Sequence, residues 1–202
     1  MMRRLALLVL AASWLPVAAA QTAVPGPEPQ ALMEQTAQRM LDALDADREG
    51  FRKEPSRVNA IVDEILLPHF DTQYSAQLVL AKHWRGATAA QRERFVQAFY
   101  HSLLNKYGAA LAGFTADRMT LLPFRGDLAS GRATVRTEVT TDDGTRVPVS
   151  YSMRATPQGW KAWDVTIEGI SYVKTFREDL GAEIDQRGLE AVIARLEAEG
   201  KH

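Results

Sequence analysis

The chain has 202 residues, with 24 Lys and Arg against 25 Asp and Glu, a formal net charge of −1 and no cysteine. That near-balance argues against a nucleic acid held by phosphate neutralisation. The missing cysteines exclude a disulfide framework, a thiolate nucleophile and a cysteine-ligated metal. Residues 1–20 read as an export signal: Arg3 and Arg4 form a positive start, and Leu5 to Val17 form an apolar run too short to span a bilayer comfortably. Ala18-Ala19-Ala20 supplies a small-residue cleavage pattern, so the mature chain is expected to begin at Gln21 with 182 residues and a net charge of −3. No cysteine follows the apolar run, which argues against an acylated lipoprotein, and no second run reaches membrane-spanning length. The expectation is an exported soluble protein: a disordered proline-rich leader over 21–29 (QTAVPGPEP), then a single domain over 30–202.

The first predicted helix runs from about Glu28 to Asp47, with Met33, Ala37, Met40, Leu41 and Leu44 on one face. A second, about Ser56 to Leu67, places Val58, Ile61, Val62, Ile65 and Leu66 on an amphipathic stripe and stops at Pro68. Asp71 is placed to cap a third helix through about His83, burying Tyr74, Leu78 and Leu80 or Ala81. Thr88 and Gln91 read as a capping box opening the longest helix, Ala89 to about Ala112. Its Phe95, Phe99, Leu103, Tyr107 and Leu111 form a four-residue stripe that Tyr100 and Leu104 widen. A face so broad suits either the centre of a core or one wall of an apolar cavity.

After Gly113 the period changes to two. Met119 to Phe124 reads as a short strand. Arg132 to Thr141 puts Ala133, Val135, Thr137 and Val139 on one face, and Asp142-Asp143-Gly144 reads as a hairpin turn. Arg146 to Thr156 turns Val147, Val149, Tyr151, Met153 and Ala155 inward, and Trp160 to Ile167 is a fourth strand with Trp163, Val165 and Ile167 on a common face. Gly169 marks a corner, Ser171 or Thr175 can cap a helix to Arg187, and Gly188 separates it from a last helix, Leu189 to Glu199. The predicted class is α+β, with helices packed on one face of a curved four-stranded antiparallel sheet and an apolar pocket between the layers.

Catalytic patterns are weak. The histidines, His69, His83, His101 and His202, are dispersed and show no metal-ligand spacing. Gly169-Ile170-Ser171-Tyr172-Val173 begins like a nucleophile elbow but has Val173 where the second glycine should stand. Asp164 or Asp143 invites a general-base reading, with a hydrogen-bonded strand carboxylate as the plainer account. The outward stripe Arg132, Arg136, Arg146 and Arg154 fits either a solvated sheet face or a surface that steers an acidic partner.

The corner Trp160-Lys161-Ala162-Trp163-Asp164-Val165-Thr166-Ile167-Glu168-Gly169-Ile170-Ser171, followed by Phe176-Arg177, resembles the C-terminal signature of the MlaC family. The order of Ile65 to Asp71, His83-Trp84, Gln91-Arg92 to Phe99 and Leu104 to Tyr107 is similar to that family too, so the likeness covers roughly Gln30 to Leu196. Trp163 departs from the smaller residue common there and would narrow a pocket. The resemblance implies a periplasmic phospholipid carrier, without cofactor or metal. It would exchange lipid between an outer-membrane lipoprotein–porin complex and an inner-membrane ABC transporter through transient contacts. The expected lipid-lining residues are Phe95, Phe99, Leu103 and Tyr107 on the long helix, and Val135, Val139, Val147, Val149, Tyr151, Met153, Val165 and Ile167 on the strands. Ile170 and Val173 at the corner complete the set. The alternative is an exported cone-shaped α+β enzyme using Asp164 or a tyrosine on a small hydrophobic substrate.

Overall fold

Pro29 opens the first helix, where its missing N–H leaves no hydrogen bond unmade. The computed structural model describes residues 24–111, 115, 118–141 and 143–200. The predicted signal, residues 21–23, the predicted helix end at Ala112, Gly113 and the turn residue Asp142 lie outside the described residues. Helix α1 (Pro29–Asp45) is followed by a short α2 (Arg48–Lys53) and a helical run in which α3 (Val58–Ile61) widens into a π-turn (Val62–Leu66) and tightens into a 3-10 turn (Leu67–His69). Pro68 accounts for that ending: it has no N–H to donate and its ring crowds the carbonyl four residues back.

Asp71 caps α4 (Thr72–Leu80) by accepting from the Tyr74 N–H at 3.0 Å. The predicted continuation to His83 is broken at Ala81, whose φ of 44° and ψ of −111° interrupt the helix before a separate α5 (Lys82–Gly86). The buried face of α4 is Ser75, Ala76, Val79 and Leu80, one position round from the expected Tyr74 and Leu78. The capping box is present: the Gln91 N–H donates to Thr88 Oγ1 at 3.2 Å and the Thr88 N–H donates to Gln91 Oε1 at 3.0 Å, opening α6 (Ala89–Leu111).

The sheet is an antiparallel meander in strand order, β1 (Met119–Leu121), β2 (Arg132–Thr140), β3 (Arg146–Thr156), β4 (Gly159–Ile167) and β5 (Ile170–Ser171). It has five strands rather than the four expected. Glu168 and Gly169 both hold positive φ, 51° and 82°, as a two-residue type I′ turn requires. That turn folds Ile170–Ser171 back on β4, with Ile167 paired to Ile170, before α7 (Tyr172–Arg187) begins. Ser171 is the cap of α7, accepting from the Lys174 N–H at 3.1 Å, and α8 (Leu189–Glu199) closes the described chain.

The apolar residues separate into three clusters rather than one helix layer over a sheet. Leu32 of α1 packs with Ala133, Val135, Met153, Trp160 and Ala162 on the inner face of the sheet. Val24, from the proline-rich leader, packs against the same cluster. The other half of α1 (Met40 and Leu44) joins Phe51, Val58, Val62, Ile65 and Leu104. The third cluster is wholly helical, built from α4, α6, α7 and α8 around Phe95, Val192 and Ile193. Helix α6 therefore packs mainly on α8, α3 and α4; α1 packs on the inner sheet face through β2 and β4, and α4 and α7 also meet the sheet at β4.

Candidate functional site

Between the sheet cluster and the α1–α3 cluster lies an apolar cavity of about 150 Å³. One wall is α1, through Leu32, Met33, Thr36, Ala37 and Met40; the floor is the inner sheet face at Val139, Tyr151, Met153 and Ala162. The π-turn and the segment after it contribute Leu66, His69 and Phe70, and Leu111 and Met119 close the far end. Phe70 forms a parallel bridge to Ala162, and the Asp71 N–H donates to the Ala162 carbonyl at 2.7 Å, so this segment is fixed along the edge of β4. Thr36 spends its hydroxyl on the Leu32 carbonyl at 2.7 Å and presents its methyl side. Among the described lining residues only His69 and Tyr151 titrate. Burial raises the Tyr151 phenol, and burial followed by the charges of Arg39 and Lys161 lowers His69.

A β-bulge in β4 decides what faces this cavity. Met153 pairs with Ala162 and Ser152 with Asp164, leaving Trp163 as the extra residue. Because a one-residue slip exchanges the faces of a strand, Trp160 and Ala162 before the bulge and Val165 and Ile167 after it all share the inner side. This corrects the expected strict alternation, which grouped Trp163 with Val165 and set Ala162 opposite. Trp163 instead stands edge-on to Tyr74 at 5.6 Å between ring centres, and its carbonyl accepts from Ser75 Oγ at 2.6 Å.

Without the bulge Asp164 would point inward. It instead sits under the first turn of α7, 5% exposed, accepting from Ser171 Oγ at 2.6 Å and from the Val173 N–H at 3.0 Å. The carboxylate is bonded within the fold at both oxygens, and Ser171 is turned to it and to Lys174 rather than to an imidazole. Among the described residues no group of three or more His, Asp or Glu is placed to hold a metal.

The expected lining residues fall into distinct places. Val139, Tyr151 and Met153 line the cavity; Val135 is buried beside it in the sheet cluster. Val149 is buried, while Val147, Val165 and Ile167 are half-buried and extend the inner apolar face toward the β2–β3 hairpin. Phe95, Phe99, Leu103 and Val173 belong to the helical cluster. Tyr107 and Ile170 are 39% and 61% exposed. The α1 residues were read only as an amphipathic face; the usable signal was its composition, two flexible methionines around a small alanine.

A larger open groove, about 630 Å³, runs between α6, α7 and α8 over Phe99, Leu103, Phe176, Leu180 and Leu196. Its rim is charged: Arg195 donates to Glu183 at 2.7 and 3.0 Å and to Glu199 at 2.5 Å. The nearly all-apolar cavity under α1 is the better chemical match to a hydrocarbon, although it is smaller. The arginine stripe of the outer sheet face is divided as well. Arg154 donates to Asp71 at 2.6 Å over the Tyr74 ring, Arg136 donates to the Pro123 carbonyl at 3.3 Å, and Arg146 is 3.9 Å from Glu138.

Fold and cavity together define an α+β protein with an apolar cavity between its helices and an antiparallel sheet. Residues 34–198 match the MlaC protein family, and the chain belongs to that family. It is 31% identical over 188 residues to the toluene tolerance protein ttg2D of Pseudomonas putida, covering 93% of this chain and 84% of that one. It is 21% identical over 180 residues to the intermembrane phospholipid transport system binding protein MlaC of Haemophilus influenzae, covering 88% and 84%. A phospholipid-binding protein from Ralstonia solanacearum, solved in complex with a phospholipid, shares the fold with a TM-score of 0.79 and 23% identity, covering 87% of this chain and 98% of that one.

Proposed function

We propose that the chain is a periplasmic phospholipid carrier. It is exported on residues 1–20 and moves lipid between the outer and inner membranes to maintain outer-membrane lipid asymmetry. Its partners are an outer-membrane lipoprotein–porin complex and an inner-membrane ABC transporter, met in transient contacts. The observation that carries the reading is the apolar cavity under α1, whose sheet residues Val139 and Tyr151 pair with the half-buried Val147 and Val165. Family membership and the phospholipid named for two similar proteins support it. No helix among the described residues is long and apolar enough to cross a membrane, which suits a carrier that leaves the bilayer.

The energetics favour exchange over storage. Two acyl chains of about sixteen carbons take about thirty methylenes out of water, worth roughly 24 kcal/mol. In a bilayer those tails are already dry, so transfer into the protein lies near balance and the lipid can be handed on. A cavity of about 150 Å³ is below the roughly 300–1,000 Å³ of ordinary ligand pockets. Loading therefore requires α1 and the sheet to part. The cavity lies where two separately packed clusters meet, so it can widen along that seam without opening either. The arrangement favours the carrier over the enzyme reading, because the Asp164 carboxylate is bonded at both oxygens under α7.

The test is extraction of the protein, purified after export, with organic solvent and mass spectrometry of the extract. Phospholipid near one molecule per chain is expected. A lipid-free protein that takes up none from vesicles overturns the proposal.

A further inference from the structure

We propose that the π-turn Val62–Leu66 is the hinge on which the cavity opens, storing one residue of chain that is let out when the sheet and the α1–α3 cluster part. This deepens the carrier reading above and rests on it. The turn is defined by the Leu67 N–H, which donates to the Val62 carbonyl five residues back instead of four. Its segment crosses the seam. Val62 and Ile65 are buried in the α1–α3 cluster, Leu66 lines the cavity, and Phe70 is bridged to Ala162 of β4. Both ends are held. On one side α3 is fixed to α6: Asn59 Nδ2 donates to Asn105 Oδ1 at 3.1 Å, and a Cβ on Gly108 would come within 2.4 Å of Asn59 Oδ1. Tyr100 of α6 adds a tie at the turn itself, its hydroxyl donating to Asp63 Oδ1 at 2.7 Å. On the other side the Asp71 N–H donates to the Ala162 carbonyl at 2.7 Å, and its carboxylate accepts from Arg154 at 2.6 Å. The π-turn and the 3-10 turn after it lie between these anchors.

Two registers compete in this stretch. Val58, Ile61, Val62, Ile65 and Leu66 have the spacing of a regular α-helical stripe, so an α register is open to the sequence. Pro68 opposes it, because its ring crowds the carbonyl four residues back, at Glu64, and it has no N–H to give. Widening to a π-turn relieves that conflict and takes up one residue, which in α spacing is about 1.5 Å of rise. A return to α spacing gives that length back. The β4 edge then steps away from α3 with the Phe70–Ala162 bridge and the Asn59–Asn105 bond intact, and Leu66 turns with the chain that carries it. The Tyr100 hydroxyl favours the π form, because Asp63 is one of the residues that must rotate when the turn re-forms. The turn is therefore a two-state element, biased one way by a side-chain tie and the other way by lipid in the cavity.

Deletion of Glu64, an exposed residue of the turn, tests the hinge. It leaves the Leu67 N–H bonded to the Val62 carbonyl but makes that bond an ordinary four-residue one, so the anchors stay and the stored residue is gone. Phospholipid phosphorus per mole of the variant purified after export is expected to fall about tenfold or more, with the melt close to that of wild type. A folded deletion variant with the full lipid complement overturns the hinge and leaves the carrier reading standing. Tyr100→Phe keeps the ring and removes the tie. Delipidated Y100F is expected to take up pyrene-labelled phosphatidylglycerol from phosphatidylglycerol vesicles about fivefold faster than wild type while melting slightly lower, the factor that one hydrogen bond to a carboxylate supplies. A tie with a merely structural role would lower the melt and leave the rate alone. An unchanged or slower rate therefore overturns the hinge, whether or not the deletion variant folds. Wild-type protein that carries no lipid after export and takes none from the vesicles overturns both readings.

Discussion

Replacing Ala37 with phenylalanine tests the cavity directly. Ala37 lies at the middle of the α1 wall, between Met33 and Met40 and across from Val139 and Tyr151. A cavity near 150 Å³ is about the size that admits one benzene, so a single added ring fills it. For the fold, burying the ring contributes about 1.5–3 kcal/mol, overpacking costs about 1–3 kcal/mol and helix propensity about 0.5 kcal/mol. The net is within about 2 kcal/mol of zero, small beside a typical stability of about 5–15 kcal/mol. For the lipid, a ring in that volume displaces about six tail carbons, worth about 5 kcal/mol, or more than a thousandfold in loading when transfer from the bilayer starts near balance.

The measurement is phospholipid phosphorus per mole of A37F purified after export, with a thermal melt on the same sample. Ala37→Leu should fall between wild type and A37F. Gln35→Phe, at an exposed position of α1, should keep the full lipid complement. A folded A37F that carries as much lipid as wild type would refute placing the tails under α1.

Three further outcomes follow from particular contacts. Asp164→Ala leaves the Val173 N–H and the Ser171 hydroxyl without their acceptor under α7, so stability should drop by about 2–3 kcal/mol. For a chain of this size that lowers Tm by roughly 4–12 °C; a loss of lipid loading with an unchanged melt would instead give Asp164 a functional role. Ala81→Gly relieves a backbone at φ 44° and ψ −111°, in the mirror-image extended region that glycine populates readily. Chemical denaturation should show a gain of up to about 1 kcal/mol, and a loss would deny the strain. The Arg195 guanidinium holds the Glu183 carboxyl below its ordinary value of 4.5, so the pair stabilises the fold above that pH and its contribution is lost as pH falls through the lowered folded value. Glu183→Gln should therefore cost up to about 1 kcal/mol at pH 7, a gap that closes in acid; a gap independent of pH would rule out the ion pair as its source.

The elements were legible where local chemistry determines them. Thr88 and Gln91 announced α6, Asp71 announced α4, and the alternation in β2 and β3 gave both the strands and their inner face. What was hidden depended on partners distant in sequence. The bulge at Trp163 is set by how β4 must meet both β3 and the first turn of α7, and periodicity within Trp160–Ile167 carries no trace of it. The break at Ala81 was hidden too, since alanine is the best helix former and its Cβ disfavours a positive φ. The candidate site was half visible: the strand residues Val139, Tyr151 and Met153 were placed correctly on the inner face. Their partner proved to be α1, while the aromatic stripe of α6 turned to the helical cluster. A stripe of Phe95, Phe99 and Leu103 shows that a helix buries one face; it does not show which neighbour receives it.

The difficulty of finding the site and the proposed work of the site have one physical origin. A catalytic centre must fix charge, and so it leaves carboxylates, imidazoles and glycines at recognisable spacings. A cavity that holds hydrocarbon near balance with a bilayer must avoid strong fixed interactions, because each would slow release. Its walls are then leucine, methionine, valine and alanine, the composition of any core. What separates such a space from a core is under-filling at a seam. Leu32 packs into the sheet cluster while Met40 and Leu44, two and three turns along the same helix, pack into another, and Met33, Thr36 and Ala37 between them face the gap. A helix anchored at both ends in different cores, with small or flexible residues in the middle, is a pattern that can be sought in sequence once the fold is known.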